Sequence, residues 1–160
     1  MGVTSFAQEF ESPIAPARMF KALILDSDNL SPKLMPHSIK SIDTIQGDGG
    51  VGSIKQLNFT EGSHFKYMKH RIDKLDKENF VCKYTLIEGD ILGENLKSIA
   101  YEVTFEAYGD GGCIFKMLSE YHTEDDVEYK EEDIEFGKEK AMGMYKVMEA
   151  YLLANPDAYA

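Results

Sequence analysis

The glycine-rich segment IQGDGGVGSIK, residues 45–55, decides between two different folds. Gly47, Gly49 and Gly52 match the letters of G-x-G-x-x-G, the spacing that cradles phosphate in dinucleotide-binding turns and in kinase glycine loops. A dinucleotide-binding turn leads from a strand into a helix, whereas the following residues, SIKQLNFT, alternate as a strand does. Ser53 stands where a Walker loop needs lysine, and the chain lacks the kinase motifs H-R-D and D-F-G.

The remaining interpretation of this segment is a tight connection between two strands. Glycines in such a hairpin adopt positive φ and allow neighbouring backbone to approach closely. We therefore predict a structural loop, whose backbone amides offer at most a weak attraction for anions. The loop consists of Gly47, Asp48, Gly49, Gly50, Val51 and Gly52.

On both sides of the loop, residues 38–122 are rich in β-branched and aromatic side chains, interrupted by the turn clusters TEGS, DKEN, GDILGEN and YGDGG. Connections this short predict antiparallel strands, because parallel strands need a crossover of a dozen residues or more. Within this region Ile99, Tyr101, Val103 and Phe105 alternate with small or charged residues. This alternation predicts a sheet with one covered and one solvated face.

Helices are predicted before and after the strands. Pro16 precedes an apolar pattern and indicates a first short helix, and the prolines at 32 and 36 limit a second one. After an acidic stretch, a stripe at helical spacing predicts a long C-terminal helix; it contains Ile134, Ala141, Met144, Tyr145, Met148 and Leu152. The predicted class is α+β, one domain over residues 1–160, with an antiparallel sheet wrapped on the long helix.

Composition argues against several functions. A net charge of −11 disfavours a nucleic-acid partner, and no apolar run is long enough to span a bilayer. The N-terminus lacks the pattern of a signal peptide, so we expect a cytoplasmic protein without a membrane partner. Cys82 and Cys113 lack disulfide or metal spacing, and the histidines form no zinc motif. No metal and no cofactor are predicted.

The predicted inward faces carry more polar groups than a small solid core needs. Lys55 shares a face with Leu57 and Phe59, and Tyr84 shares one with Cys82. Because each buried polar tip must find a partner, two interpretations stay open. Either these groups are anchors in an internal ligand cavity, or the lysine and tyrosines reach the rim of the sheet.

Several segments together resemble the Bet v 1, or pathogenesis-related class 10 (PR-10), family of plants, close to the birch-pollen-allergen type. They are MFKALILDSDNL, GDGGVGSIK, FKYMKHRID, YTLIEGD, SEYHT and EAYLLANPDAYA, and the resemblance covers the whole chain. It implies a seven-stranded antiparallel sheet that grips a long C-terminal helix, with two short helices in a V. It also implies an internal hydrophobic cavity for amphipathic molecules such as flavonoids, cytokinins, and sterol- or fatty-acid-like ligands.

The resemblance further implies a stress- or defence-related role in storage or transport, an allergen homologue, and mostly a monomer with a weak dimer left open. It assigns sixteen ligand-binding positions: Lys55, Leu57, Phe59, His70, Cys82, Tyr84, Tyr101, Val103, Phe115, Met117, Tyr121, Asp133, Lys138, Ala141, Met144 and Tyr145. The sequence departs from the birch type at Cys82 and Tyr101, where that type has tyrosine and asparagine. These departures change the polarity and shape of the expected cavity.

Two enzymatic alternatives accompany the resemblance, and neither is favoured. Norcoclaurine synthases use the same cavity for acid–base condensation, and Lys55, Lys138, Tyr84 and Asp133 offer suitable residue types without a position-by-position match. Ribonuclease activity is attributed in the family to positions equivalent to Lys55, Glu149 and Tyr151, although the acidic chain places no histidine pair for transfer chemistry.

Overall fold

The computed structural model describes residues 2–62, 65–124 and 131–160, apart from the side chain of Asp133. Its strands are β1 (Gly2–Ser12), β2 (Ile39–Gln46), β3 (Ile54–Phe59), β4 (Tyr67–Asp76), β5 (Val81–Gly89), β6 (Leu96–Tyr108) and β7 (Gly112–Thr123). Its helices are α1 (Pro16–Phe20), which continues into a π-helical turn (Lys21–Leu25), α2 (Ser27–Leu34) and α3 (Glu131–Ala154). A single 3₁₀ turn (Asp90–Leu92) separates β5 from β6.

The strands form one seven-stranded antiparallel sheet in the order β1-β7-β6-β5-β4-β3-β2. Strands β2 to β7 follow one another as a meander, as the short turns predicted. The first strand then pairs with the last, with Phe10 opposite Phe115. The predicted fold class, a seven-stranded sheet with a long C-terminal helix and two short helices, is therefore confirmed.

The two short helices form the connection between β1 and β2. Pro16 occupies the first turn of α1, where its missing N–H removes no helical hydrogen bond. Asp26 ends the π-helical turn and directly precedes α2, so it forms the elbow between the helices. Pro32 lies inside α2, which ends two residues later at Leu34. None of the helices in the described part of the chain combines the length and apolar character that a bilayer crossing needs.

Two apolar clusters lie between the sheet and α3. The larger one joins the short helices to the sheet and to the C-terminal half of α3, through Met19, Phe20, Phe105 and Leu152. The smaller one lies toward the start of α3, where Ile134 packs with residues that include Ile99 and Leu86. Tyr84 packs against the first cluster and Tyr101 against the second. These tyrosines, adjacent in the sheet register, therefore mark the junction between the two cores.

Candidate functional site

The face of the sheet that meets α3 is here called the inner face. Its orientation is fixed by Tyr145 of α3, whose ring stacks on Phe10 of β1 and Phe115 of β7 at centroid distances of 4.9 and 5.4 Å. Strand residues that share the side of Phe10 and Phe115 point toward the helix, because side chains alternate along a strand. The opposite, outer face carries exposed ion pairs, such as Lys83 with Glu102, together with exposed apolar side chains such as Leu118.

Three ring side chains from adjacent strands meet on the inner face. Tyr84 of β5 and Tyr101 of β6 are paired in the register and stack at a centroid distance of 5.0 Å. His70 of β4 packs edge-on against Tyr84 at 5.0 Å and against Tyr101 at 6.3 Å. We call His70, Tyr84 and Tyr101 the ring cluster. It combines two stacked phenol rings with an imidazole set edge-on to them, and it carries polar atoms at the ring edges.

Two members of the ring cluster, His70 and Tyr84, have side-chain polar atoms with no hydrogen-bond partner among the described residues. Within the described residues, neither the His70 imidazole nor the Tyr84 hydroxyl makes a hydrogen bond, although both side chains are at least half-buried. No wholly buried side-chain nitrogen or oxygen in the described residues lacks a partner. The unbonded Tyr84 hydroxyl must therefore border space that a water molecule can enter.

The ionisable groups that border this space are desolvated. Burial lowers the pKa of His70 from its ordinary 6.5 to about 4, so the imidazole is neutral at physiological pH. Burial also raises the pKa of Tyr84, and the nearby Cys82 thiol adds to that rise. The pKa of Cys82 itself rises to about 11, because burial outweighs the opposing effect of the Lys55 charge. All three groups are thus uncharged.

Lys55 of β3 does not stand alone beside the ring cluster. It lies opposite His70 in the register, and its Nζ donates to Asp28 Oδ1 of α2 across 2.9 Å. The two side chains are 15 % and 28 % exposed, so the ion pair is largely sheltered. Asp28 was missed by the sequence analysis, because the pair joins residues 27 positions apart that only the packing of α2 on the sheet brings together.

The other predicted positions occupy the same region in different ways. Cys82, Val103, Phe115 and Tyr145 are buried in the larger apolar cluster, whereas Tyr121 is buried in the smaller one. The remaining buried or half-buried members are Leu57, Phe59, Met117, Lys138 and Ala141. The fold thus places these predicted positions together, on the inner face of the sheet and on α3.

Three further predicted positions lie on α3. Lys138 Nζ lies 3.5 Å from the centroid of the Phe6 ring, a close cation–π contact at the β1 edge. Met144 departs from the expected buried stripe, with 37 % of its side chain exposed. At 100° per residue it lies on the flank of the stripe that Ala141, Tyr145 and Met148 define. Asp133 belongs to α3, but its predicted side-chain role lies outside the described residues.

The glycine loop joins β2 to β3, as its alternating C-terminal flank predicted. Gly47, Gly49 and Gly52 have φ values of +88°, +99° and +87°. Two of its amides already have acceptors within the loop: Gly49 donates to Ser53 Oγ and Gly50 to Asp48 Oδ1. The loop is therefore a hairpin connection whose amides at Gly49 and Gly50 are already hydrogen-bonded, rather than an open cradle for phosphate.

Grooves on the outer face have a different character. The larger, about 310 Å³, is lined by acidic residues and the ion pair of Lys116 with Glu106, together with Ala7, Met117 and Leu118. A second groove of about 140 Å³ includes Asp73, Lys83 and Glu120. Both are charged and open, which suits water better than an apolar ligand. Among the described residues, no group of three histidine, cysteine or acidic side chains could hold a metal ion.

The residues named for ribonuclease activity, Lys55, Glu149 and Tyr151, each contact a different neighbour. Lys55 pairs with Asp28, whereas Glu149 accepts a long hydrogen bond from Tyr145 at 3.4 Å. Tyr151 lies under Lys33, whose Nζ is 5.4 Å from the ring centroid. Within the described residues, no hydrogen bond or ion pair joins Lys55, Glu149 and Tyr151 into a catalytic set.

A seven-stranded antiparallel sheet closed over a C-terminal helix and two short helices defines the helix-grip class of fold. Residues 1–155 match the family model described as the pathogenesis-related protein Bet v 1 family. The chain therefore belongs to this family.

Curated relatives match along their whole length. The chain is 54 % identical over 159 residues to the major allergen Pru ar 1 of Prunus armeniaca, which covers 99 % of both chains. It is also 54 % identical over 160 residues to the pathogenesis-related protein STH-2 of Solanum tuberosum, which covers 100 % of both. The similarity thus extends to proteins named as allergens and to proteins named as pathogenesis-related.

Solved structures agree on the fold. The crystal structure of Ara h 8.0201 superposes with a TM-score of 0.87 at 36 % identity, covering 96 % of this chain and 100 % of the other. Norcoclaurine synthase from Thalictrum flavum, in complex with dopamine and hydroxybenzaldehyde, gives a TM-score of 0.75 at 21 % identity, with 96 % and 88 % covered. The second likeness shows a shared fold and carries no statement about catalysis.

Proposed function

We propose that this protein binds amphipathic small molecules in a hydrophobic cavity between the inner face of the sheet and α3. The observation that supports this most directly is the unbonded Tyr84 hydroxyl in the ring cluster, at the junction of two apolar cores. A polar group that is both desolvated and unpaired is costly in a finished core. A ligand or bound water that accepts or donates a hydrogen bond there removes that cost.

The burial of the ring cluster supports an enclosed space rather than a surface cleft. His70 and Tyr84 keep part of their area accessible to water, yet desolvation dominates the pKa shifts of both. Accessible area on a desolvated group is the pattern expected where a cavity is surrounded by protein. Pockets of this type are apolar with a few placed polar groups, which matches the composition of the inner face.

The proposed ligand lies with its polar end at Tyr84 and Lys55 and its apolar body along Leu57, Phe59 and Phe115. The rings of Tyr84 and Tyr101, which stack on each other, offer aromatic surface against which a ring system of the ligand can pack. Flavonoids, cytokinins, and sterol- or fatty-acid-like molecules are the candidate classes. Together with relatives named as pathogenesis-related proteins and allergens, this supports a role in storage or transport during plant defence, inside the cell.

The test is displacement of the uncharged fluorescent probe N-phenyl-1-naphthylamine by a flavonoid aglycone, a cytokinin, a brassinosteroid and a fatty acid. Tyr84→Phe keeps the ring and removes the hydroxyl, so the best hydroxylated competitor should bind about fivefold more weakly. Tyr108→Phe is the matched control, because that tyrosine is 48 % exposed and on the outer side of β6. The proposal fails if no class displaces the probe. Equal affinities in the two variants would exclude Tyr84 as the anchor.

A further inference from the structure

We propose that Asp28 is the internal counter-ion of Lys55 and that, through this pair, the site selects uncharged ligands over anions of the same shape. This inference rests on the proposed function, since it names the ligand chemistry that the same site accepts. It concerns Asp28, a residue of α2 rather than of the sheet or α3.

The Lys55 ammonium is already paired with the Asp28 carboxylate. Lys55 Nζ and Asp28 Oδ1 are 2.9 Å apart, and both side chains are mostly sheltered from solvent. An anionic group that approached Lys55 would also approach the Asp28 carboxylate, and like charges at such distances repel strongly in a partly buried site. Drawing Lys55 away from its partner would leave a sheltered, uncompensated charge on Asp28. The net charge of −11 on the chain opposes anions further.

An uncharged ligand meets no such obstacle. The Lys55 ammonium has three N–H donors and spends one on Asp28, so others remain for a neutral hydroxyl or carbonyl oxygen. The neutral imidazole of His70 and the hydroxyl of Tyr84 can each donate and accept a hydrogen bond. The ring cluster adds stacking surface beside them. Among the candidate classes, the chemistry therefore favours planar, uncharged molecules that carry hydroxyl and carbonyl or ring-nitrogen groups over ionised fatty acids.

The experiment uses two probes that share one ring system. N-phenyl-1-naphthylamine is uncharged, and 1-anilino-8-naphthalenesulfonate is the same skeleton with an anionic sulfonate. The dissociation constants of both are measured for the full chain, for Asp28→Asn and for the control Asp110→Asn. Asp110 lies exposed in the hairpin between β6 and β7, so its variant makes the same change in net charge away from the site.

The measured quantity is the dissociation constant of the anionic probe divided by that of the neutral probe. Removing the Asp28 charge while keeping its shape should lower this ratio at least about fivefold, whereas Asp110→Asn should stay within about twofold of the original chain. Lys55→Met removes the cation instead and should raise the ratio by a similar factor. If circular dichroism shows that Asp28→Asn is unfolded, the ratio measured for Lys55→Met tests the counter-ion role instead.

The outcomes separate this inference from the function it rests on. Neutral-probe binding with an equal ratio in Asp28→Asn and Asp110→Asn would overturn the counter-ion role and leave ligand binding intact. A ratio that does not rise in folded Lys55→Met would overturn it in the same way. If the folded original chain binds neither probe, the counter-ion inference and the proposed function both fall.

Discussion

The guanidinium of Arg18 donates a hydrogen bond to the carbonyl oxygen of Leu152 across 3.0 Å, joining α1 to the last turn of α3 over 134 residues of sequence. The same side chain donates to the carbonyls of Asn155 and Ala158, each at 2.9 Å. The last carbonyls of a helix have no partners within the helix. Arg18 therefore both caps α3 and holds the residues beyond it against the short helices.

Replacement of Arg18 by lysine should destabilise the protein by about 2 kcal/mol. Lysine keeps the charge, but a single ammonium cannot reproduce the planar fork that reaches three separate carbonyls. Urea denaturation followed by circular dichroism measures the change. Arg71→Lys is the matched control, because Arg71 is exposed and its guanidinium forms a surface ion pair with Asp73, so its cost should stay below about 0.5 kcal/mol. Similar losses in both variants would contradict the capping role.

Gly47→Ala should cost more stability than Gly49→Ala. Both glycines have positive φ, +88° and +99°, which costs an alanine about 1 kcal/mol. A Cβ on Gly47 would also collide with Ser53 Oγ and lie 2.9 Å from Ser53 Cα, whereas a Cβ on Gly49 meets nothing. We expect a total of about 3 kcal/mol for Gly47→Ala, since overpacking adds to the backbone cost. Equal unfolding free energies for the two variants would show that the loop yields without strain.

Local patterns explain why so much of the fold was predictable. The alternation through Tyr101 and Val103 determines which side of β6 is covered, and short turns leave only antiparallel pairing for β2 to β7. The letters of G-x-G-x-x-G were misleading until the strand after them was considered, because the role of the glycines depends on the element that follows. These decisions need only neighbouring residues.

The parts that were missed depend on distant contacts. The sequence does not predict that Asp28 pairs with Lys55 or that Arg18 caps α3. Neither contact has a spacing that a sequence pattern can reveal. Met144 was assigned to the buried stripe from its spacing, but a helix places it on the flank, where neighbouring elements decide its exposure. The sequence indicates polar groups on the inward faces, whereas their neighbours depend on the register of β3, β4 and β5.

Both thiols should be inert in the folded protein. Cys82 and Cys113 are buried, and desolvation raises the pKa of each to about 11, so almost no thiolate exists near neutral pH. With 5,5′-dithiobis(2-nitrobenzoic acid), reaction should proceed no faster than unfolding and become immediate in concentrated guanidinium chloride. The single variants Cys82→Ser and Cys113→Ser assign each phase. Rapid reaction of one native thiol would show that the reagent reaches the interior and finds a thiolate there.

Stability should fall in mild acid because of His70. In the folded protein burial lowers the pKa of His70 to about 4, whereas in the unfolded chain it returns to about 6.5. The unfolded state alone therefore gains a proton as the pH falls below about 6.5, which favours unfolding, and the loss is complete below the folded pKa.

Between about pH 7.5 and pH 5, this difference predicts a loss of about 2 kcal/mol in unfolding free energy that His70→Gln should abolish. Denaturant titrations of both proteins at both pH values measure it, and effects of carboxylates and the other histidines cancel in the comparison. His37→Gln serves as the control, because it makes the same substitution at an exposed side chain outside the ring cluster. If His70→Gln retains the full loss, the imidazole is not desolvated in the folded state, and the proposed cavity beside Tyr84 loses its main electrostatic support.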